Sequence, residues 1–105
     1  MSVIMTLRVS GDAKKLEEYT RENPERMEGI VEKAKSHGLI AHRFYGTDGA
    51  LMVLDEWPDA ESFQAFFDQT QSEIGPLMQA AGVTEEPQPE FWHKLDTHDE
   101  YGWDS

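Results

Sequence analysis

Residues 39–63 read LIAHRFYGTDGALMVLDEWPDAESF. Leu39 to Tyr45 and Ala50 to Glu56 are strand-like runs, and Gly46-Thr47-Asp48-Gly49 between them carries an Asp-Gly pair. That pattern predicts a β-hairpin. Trp57-Pro58-Asp59 ends the second run. Asp59 is placed to cap a helix with Ala60, Phe63, Phe66 and Phe67 on one face. A hairpin thus leads directly into an amphipathic helix.

Working outward toward the N-terminus, Val3 to Val9 alternates. Val3, Met5, Leu7 and Val9 share one face and Ile4, Thr6 and Arg8 the other, the period of a strand. Ser10-Gly11-Asp12 interrupts it, and Asp12 suits an N-cap. Leu16 and Tyr19, then Met27, Ile30, Val31 and Ala34, recur at helical spacing. Between them Asn23 suits a cap, Pro24 fits the first helical position and Glu25 favours the positive end of a helix dipole. The pattern predicts one helix over 13–22 and another over 24–36. His37 falls at the helix end and Gly38 at the left-handed position after it.

Downstream, Gly75-Pro76 predicts a break in the third helix. Leu77, Met78 and Ala81 then mark a last short helix, stopped by Gly82. Thr84 to Pro89 reads as an acidic loop and Phe91 to Leu95 as the fourth strand. Two crossovers around a central hairpin give an α+β domain over 1–95, a βαββαβ protomer with a four-stranded antiparallel sheet and its helices on one face. Residues 96–105 form an acidic tail that carries Tyr101 and Trp103. Two aromatics in a polar tail predict that it folds back on the domain or on a partner subunit.

The second sheet face also needs a cover. Either strand parity leaves apolar groups on it: Ile40 and Phe44 with His42, or Leu39 and Tyr45 with Arg43, and on the third strand Met52 and Leu54 or Leu51 and Val53. A sheet apolar on both faces, with helices for one, predicts a homodimer closed face to face.

Charge narrows the partners. Residues 1–43 hold eight Lys or Arg and seven Asp or Glu, while residues 44–105 hold Lys94 and fourteen acids, for a net charge of −12 overall. Such a chain repels phosphate backbones, so nucleic acid and anionic membranes are not expected partners. No apolar run approaches the ~20 residues of a membrane span. The segment Met1 to Arg8 lacks a basic region ahead of an apolar one, so no signal peptide is read. Absence of cysteine excludes disulfides, thiolate metal sites and a cysteine nucleophile. A cytoplasmic location is expected.

The order of elements, the two-faced sheet and the segment Asp55-Glu56-Trp57-Pro58-Asp59-Ala60-Glu61-Ser62-Phe63 resemble the dimeric α/β-barrel superfamily, in particular its small proteins of the antibiotic-biosynthesis-monooxygenase type. In that family the third strand commonly ends in Glu-Trp before a short turn and a helix. The resemblance covers residues 3–95. It implies a ferredoxin-like protomer, a dimeric barrel and activities that include cofactor-independent oxidation of electron-rich rings and haem breakdown. Haem-degrading relatives carry a histidine on the helix after the third strand and an asparagine on the first strand. Here that helix holds Gln64, Gln69, Thr70 and Gln71, and Val3 to Val9 holds no asparagine, which argues against haem.

The candidate chemistry lies on the strands. His42, between Ala41 and Arg43, is a general base if it faces a dimer cavity and a hydrogen-bonded core histidine if it faces the helices. His93, between Trp92 and Lys94, divides the same way. Arg43, Phe44, Glu56, Trp57 and Trp92 are the candidate ligand-binding residues. Glu56 reads either as an acid or base at a pocket mouth or as a structural ion pair, and Trp57 as a plug between sheet and helix. Trp92 serves for stacking on an aromatic substrate or for packing against a partner subunit. His93 and His98, with Asp96, Asp99 and Glu100, lack the geometry a helical metal pair imposes, so no metal is expected. No nucleophile elbow, phosphate loop or dinucleotide fingerprint occurs. RNA-binding sheets need a basic surround that this chain lacks, and Ser10-Gly11-Asp12 offers an acid where an acylphosphatase-type loop needs arginine.

Two functions remain open. One is a cofactor-independent monooxygenase acting on an aromatic or polyketide-like small molecule, with no metal or flavin because the substrate supplies the electrons. The alternative is a non-catalytic dimeric module that binds a small ligand or is purely structural.

Overall fold

The computed structural model describes residues 1–103; the last two positions of the tail, 104 and 105, lie outside the described residues. The elements are β1 (Val3–Ser10), α1 (Ala13–Glu22), α2 (Pro24–Ser36), β2 (Ala41–Thr47), β3 (Ala50–Trp57), α3 (Ala60–Ala80) and β4 (Glu90–Trp92). All strands pair antiparallel in the order β2-β3-β1-β4, which is the ferredoxin-like arrangement, with α1 and α2 together forming the first crossover.

The helix boundaries follow the caps. Asp12 Oδ1 accepts from the Lys14 and Lys15 amides at 2.9 and 3.3 Å, and Asp59 Oδ1 accepts from the Ser62 amide at 2.8 Å. These bonds satisfy amides that have no partner inside their own helix. Pro24 opens α2 at its first turn. Asn23 does not cap α2 with its side chain, contrary to expectation. Its Nδ2 instead donates to the Tyr19 carbonyl at 2.9 Å, serving the end of α1. Gly38 follows α2 with φ of 100°, the left-handed conformation that releases the chain toward β2.

Several boundaries differ from the sequence reading, and β2 opens at Ala41 rather than Leu39. The hairpin turn is shorter than Gly46-Thr47-Asp48-Gly49: Thr47 pairs with Ala50, leaving only Asp48 and Gly49 in the turn, and Gly49 takes φ of 73°. The third helix does not break at Gly75-Pro76 but runs on to Ala80. Proline leaves one carbonyl a turn earlier without its donor. That carbonyl belongs to Ser72, an exposed residue, so water can serve it, while Leu77 just beyond is buried and holds the helix to the core. β4 stops at Trp92 rather than Leu95. It pairs with β1 as Thr6–Glu90, Met5–Phe91 and Ile4–Trp92, and because β1 itself starts at Val3 this register leaves Lys94 and Leu95 no β1 residue to pair with.

The core lies between the sheet and the helices. Val3, Met5, Leu7 and Val9 of β1 are all buried against Leu16, Ile30, Ala34, Phe63, Phe66 and Leu77. Trp57, wholly buried, packs edge-on to Phe63 with ring centroids 5.7 Å apart and tilted against Phe66 at 5.5 Å. It fills the junction of sheet and helix, the structural role read for it from the sequence. Beyond Trp92 no helix or strand forms through 103. Tyr101 and Trp103 are 93% and 76% exposed on the protomer.

The Asp59 cap carries a pH signature. Hydrogen bonds from the Ser62 side chain and amide hold its carboxyl below the usual carboxylate range. A carboxyl lowered in the folded state contributes stability that is present above its unfolded pKa and fades as pH falls through the folded one. An Asp59→Ala variant should therefore melt below the wild type at neutral pH, and the gap should narrow in acid. Thermal melts across pH 2–7 would refute the cap assignment if the gap stayed constant.

Candidate functional site

Strand alternation decides which side chains reach the helices. Met5 opposes Asp55 on one side and Phe91 on the other, and Asp55 opposes His42. Opposed residues share a sheet face. Met5, His42, Asp55 and Phe91 therefore lie on the helix side, together with Phe44, Val53 and Trp57, which are two residues away along their strands.

Asp55 is the charged residue at the centre of this face. Its side chain is 6% exposed. Trp57 Nε1 donates to Oδ2 at 3.1 Å, and His42 Nδ1 meets Oδ1 at 2.6 Å. Both carboxylate oxygens are thus engaged, as burial of a charge requires. An ionised carboxylate only accepts, so Nδ1 is the ring nitrogen that donates to Asp55, and Nε2 is the one left for another partner. The imidazole also packs edge-on to Phe44, centroids 5.0 Å apart. Its side chain is 28% exposed.

His42, Phe44 and Asp55 line a cavity of about 70 Å³ between sheet and helices. The rest of its wall is apolar, supplied by residues such as Met27, Ile30, Phe67, Ile74 and Met78. Among the described residues, His42 and Asp55 are its only titratable lining residues, and no lysine or arginine reaches it. A buried carboxylate that orients a histidine against an apolar pocket is an arrangement suited to removing a proton from a bound molecule.

The other sequence candidates sit elsewhere. Arg43 lies on the opposite face, its Nη1 donating to the Tyr45 hydroxyl at 3.3 Å. Glu56 is on that face too and accepts from the Ser2 hydroxyl. Trp92 crosses the same face and donates from Nε1 to Thr6 Oγ1 at 2.7 Å. His93 is exposed just past β4, at the far edge of the sheet from His42 and with two strands between. The pocket therefore gathers His42 and Phe44, with Trp57 behind them through Asp55, but not His93, Arg43, Glu56 or Trp92. Asp55 itself was missed in the sequence. A two-residue turn at Asp48-Gly49 would have found it, because counting back from Thr47–Ala50 pairs residue 42 with residue 55. Among the described residues, no group of three or more histidine or acidic side chains converges to hold a metal, and no helix is long and apolar enough to cross a membrane.

The fold is shared with several solved structures. A dimeric ferredoxin-like protein from an uncultured marine organism superposes with a TM-score of 0.64 at 15% identity, over 98% of this chain and 93% of that one. An antibiotic biosynthesis monooxygenase superposes with a TM-score of 0.57 at 10% identity, over 90% and 99%. SnoaB, a cofactor-independent oxygenase from Streptomyces nogalater, does so at 0.58 and 14%, over 94% and 98%. The chain thus has the ferredoxin-like fold of the antibiotic-biosynthesis-monooxygenase-like structures. At these identities the likeness concerns the fold. No family model and no curated protein matches the chain.

The Asp55 arrangement predicts a stability effect. Trp57→Phe keeps an aromatic ring but removes the indole donor, leaving Oδ2 of a buried carboxylate unpaired. The loss should be about 1–3 kcal/mol in urea denaturation. A loss under about 0.5 kcal/mol, the level of an ordinary surface change, would mean that the indole bond is dispensable.

Proposed function

We propose that this protein is a cofactor-independent oxygenase of small electron-rich aromatic molecules, with His42 as its base. The observation that carries this reading is the His42–Asp55 pair facing an apolar pocket, with Nδ1 committed and Nε2 free. The likeness in fold to a cofactor-independent oxygenase supports it.

In the proposed reaction His42 Nε2 takes the hydroxyl proton of a phenol. The phenolate is electron-rich enough to react with dioxygen. The ring carbon para to the hydroxyl gains one oxygen atom and loses its hydrogen, the ring becomes a quinone, and the second oxygen atom leaves as water. The substrate gives up four electrons and dioxygen accepts four, so no other reductant is consumed. Asp55 holds the imidazole in the required tautomer and stabilises the imidazolium that forms. The His93 role read from the sequence does not carry over, because that residue lies outside the pocket. Oxygen uptake with a panel of phenols unsubstituted at the para carbon tests this reading. His42→Ala should reduce turnover by about 10²-fold or more, and unchanged uptake would remove His42 from the chemistry.

The non-catalytic reading has one observation in its favour: the pocket holds a single base and no separate acid. Absence of turnover on every substrate, together with retained ligand binding, would favour it.

We also propose that the protein works as a homodimer closed through the sheet face away from the helices. That face exposes Tyr45 and Trp92 and carries half-buried Ile4, Met52 and Leu54, an apolar surface that the helices leave uncovered. The dimeric ferredoxin-like structures of the same fold support the pairing. Leu54→Glu places a charge at the middle of the face and should yield a folded monomer. Analytical ultracentrifugation at micromolar concentration decides the matter, and a wild-type monomer would defeat the proposal.

A further inference from the structure

We infer that the pocket selects an uncharged molecule with a single ring and one hydroxyl, and rejects both aromatic carboxylates and fused-ring polyketides. The inference rests on the proposed use of this pocket but narrows it.

The first argument is size. An engineered apolar cavity of about 150 Å³ takes up benzene. The pocket here is about 70 Å³, roughly half of that. One ring can enter if the unbranched, flexible side chains of Met27 and Met78 shift. Three fused rings far exceed that volume, and to enter fully they would have to displace Ile30, Phe66 and Leu77, which pack around it. The second argument is charge. Among the described residues no lysine or arginine lines the pocket and the carboxylate of Asp55 forms part of its wall, so a carboxylate or phosphate entering it would lose its hydration beside a like charge. The chain's net charge of −12 opposes anions at longer range as well. The third argument is polarity. Both Asp55 oxygens are taken, and the described residues leave no buried polar side-chain atom unpartnered. Among the lining side chains, the polar atom with no bond of its own is then His42 Nε2. One hydroxyl satisfies it, whereas a second polar group on the ligand would face methionine, isoleucine and phenylalanine.

Titration calorimetry and amide NMR of the wild-type protein test the inference with four probes. p-Cresol is the phenol, and its methylated para carbon keeps it from being turned over to a quinone. Toluene lacks the hydroxyl, benzoate adds a negative charge, and anthrone adds two fused rings. The expected result is saturable p-cresol binding that shifts amides of β2, α2 and α3, with toluene weaker by about tenfold for the one lost hydrogen bond. Benzoate and anthrone should be weaker still. In His42→Phe, which keeps a ring at that position, p-cresol should fall to the level of toluene. The toluene comparison gives the same readout on wild-type protein should the variant fail to fold. Anthrone or benzoate binding as tightly as p-cresol would overturn the selectivity while leaving an aromatic site in place. Equal binding of p-cresol and toluene would overturn the contact with His42. No saturable binding by any of the four would overturn both the inference and the proposed function beneath it.

Discussion

The full-length pairing of β1 with β3 governs the rest of the molecule. Every residue from Val3 to Ser10 has a partner, from Trp57 to Ala50. Because side chains alternate, this register decides at once which half of each strand is covered by helices. A slip by one residue would turn Asp55 and Trp57 away from Phe63 and Phe66 and bring Glu56 and Leu54 inward. The buried run of Val3, Met5, Leu7 and Val9 resists that slip, since it would put Ile4, Thr6 and Arg8 into the core. The apolar alternation of β1 thereby aims the acid on β3, and the short hairpin then aims the histidine on β2.

Asp55 depends on this register for its partners. A carboxylate so little exposed costs several kcal/mol to desolvate unless it is partnered. Its two partners come from different sources. Trp57 is two residues along the same strand, so any geometry that buries one side chain brings the other to the same face. His42 comes from across the hairpin, placed there by the two-residue turn. Neither bond depends on a ligand, so the imidazole is oriented before anything binds. Pre-orientation of that kind is what a general base needs if the protein is not to reorganise during proton transfer. It also explains why the pocket wall is apolar everywhere else: the polar groups of this face are already spent on one another.

The sequence conveyed the elements more fully than their faces. Asp12, Pro24, Gly38 and Asp59 are punctuation with a local mechanism, and each sits where its chemistry places it. Pro76 misleads because its effect depends on something non-local, namely whether the carbonyl it strands can reach water. A fourth strand reaching Leu95 was equally unchecked, since β1 begins at Val3 and leaves Lys94 and Leu95 no partner. Sheet parity could not be read because both faces of β2 and β3 carry large apolar groups, the very feature that points to a second subunit. With parity open, His42 could not be told from Arg43 as the inward residue, nor Asp55 from Glu56. The Glu-Trp pair drew attention to Glu56, yet adjacent strand residues face opposite ways. If Trp57 is the core plug, Asp55 and not Glu56 must be its companion.

That asymmetry bears on what the fold alone conveys. The backbone likeness to the oxygenase and to the dimeric ferredoxin-like protein holds at 15% identity or less, so the scaffold persists while nearly every side chain differs. Whether a pocket opens between sheet and helices, and what it can hold, is decided by the side chains packed there. Here they are methionines, isoleucine and phenylalanines around one oriented imidazole. Met5, Met27 and Met78 are flexible enough to reshape the wall without moving the backbone, whereas His42 is fixed by a bond of 2.6 Å to a buried acid. The pocket therefore joins an adaptable hydrophobic boundary to a rigid polar point. Such a site discriminates weakly among single-ring outlines of similar size and strongly on where a ligand carries its proton, because a misplaced hydroxyl leaves both itself and the imidazole unpaired.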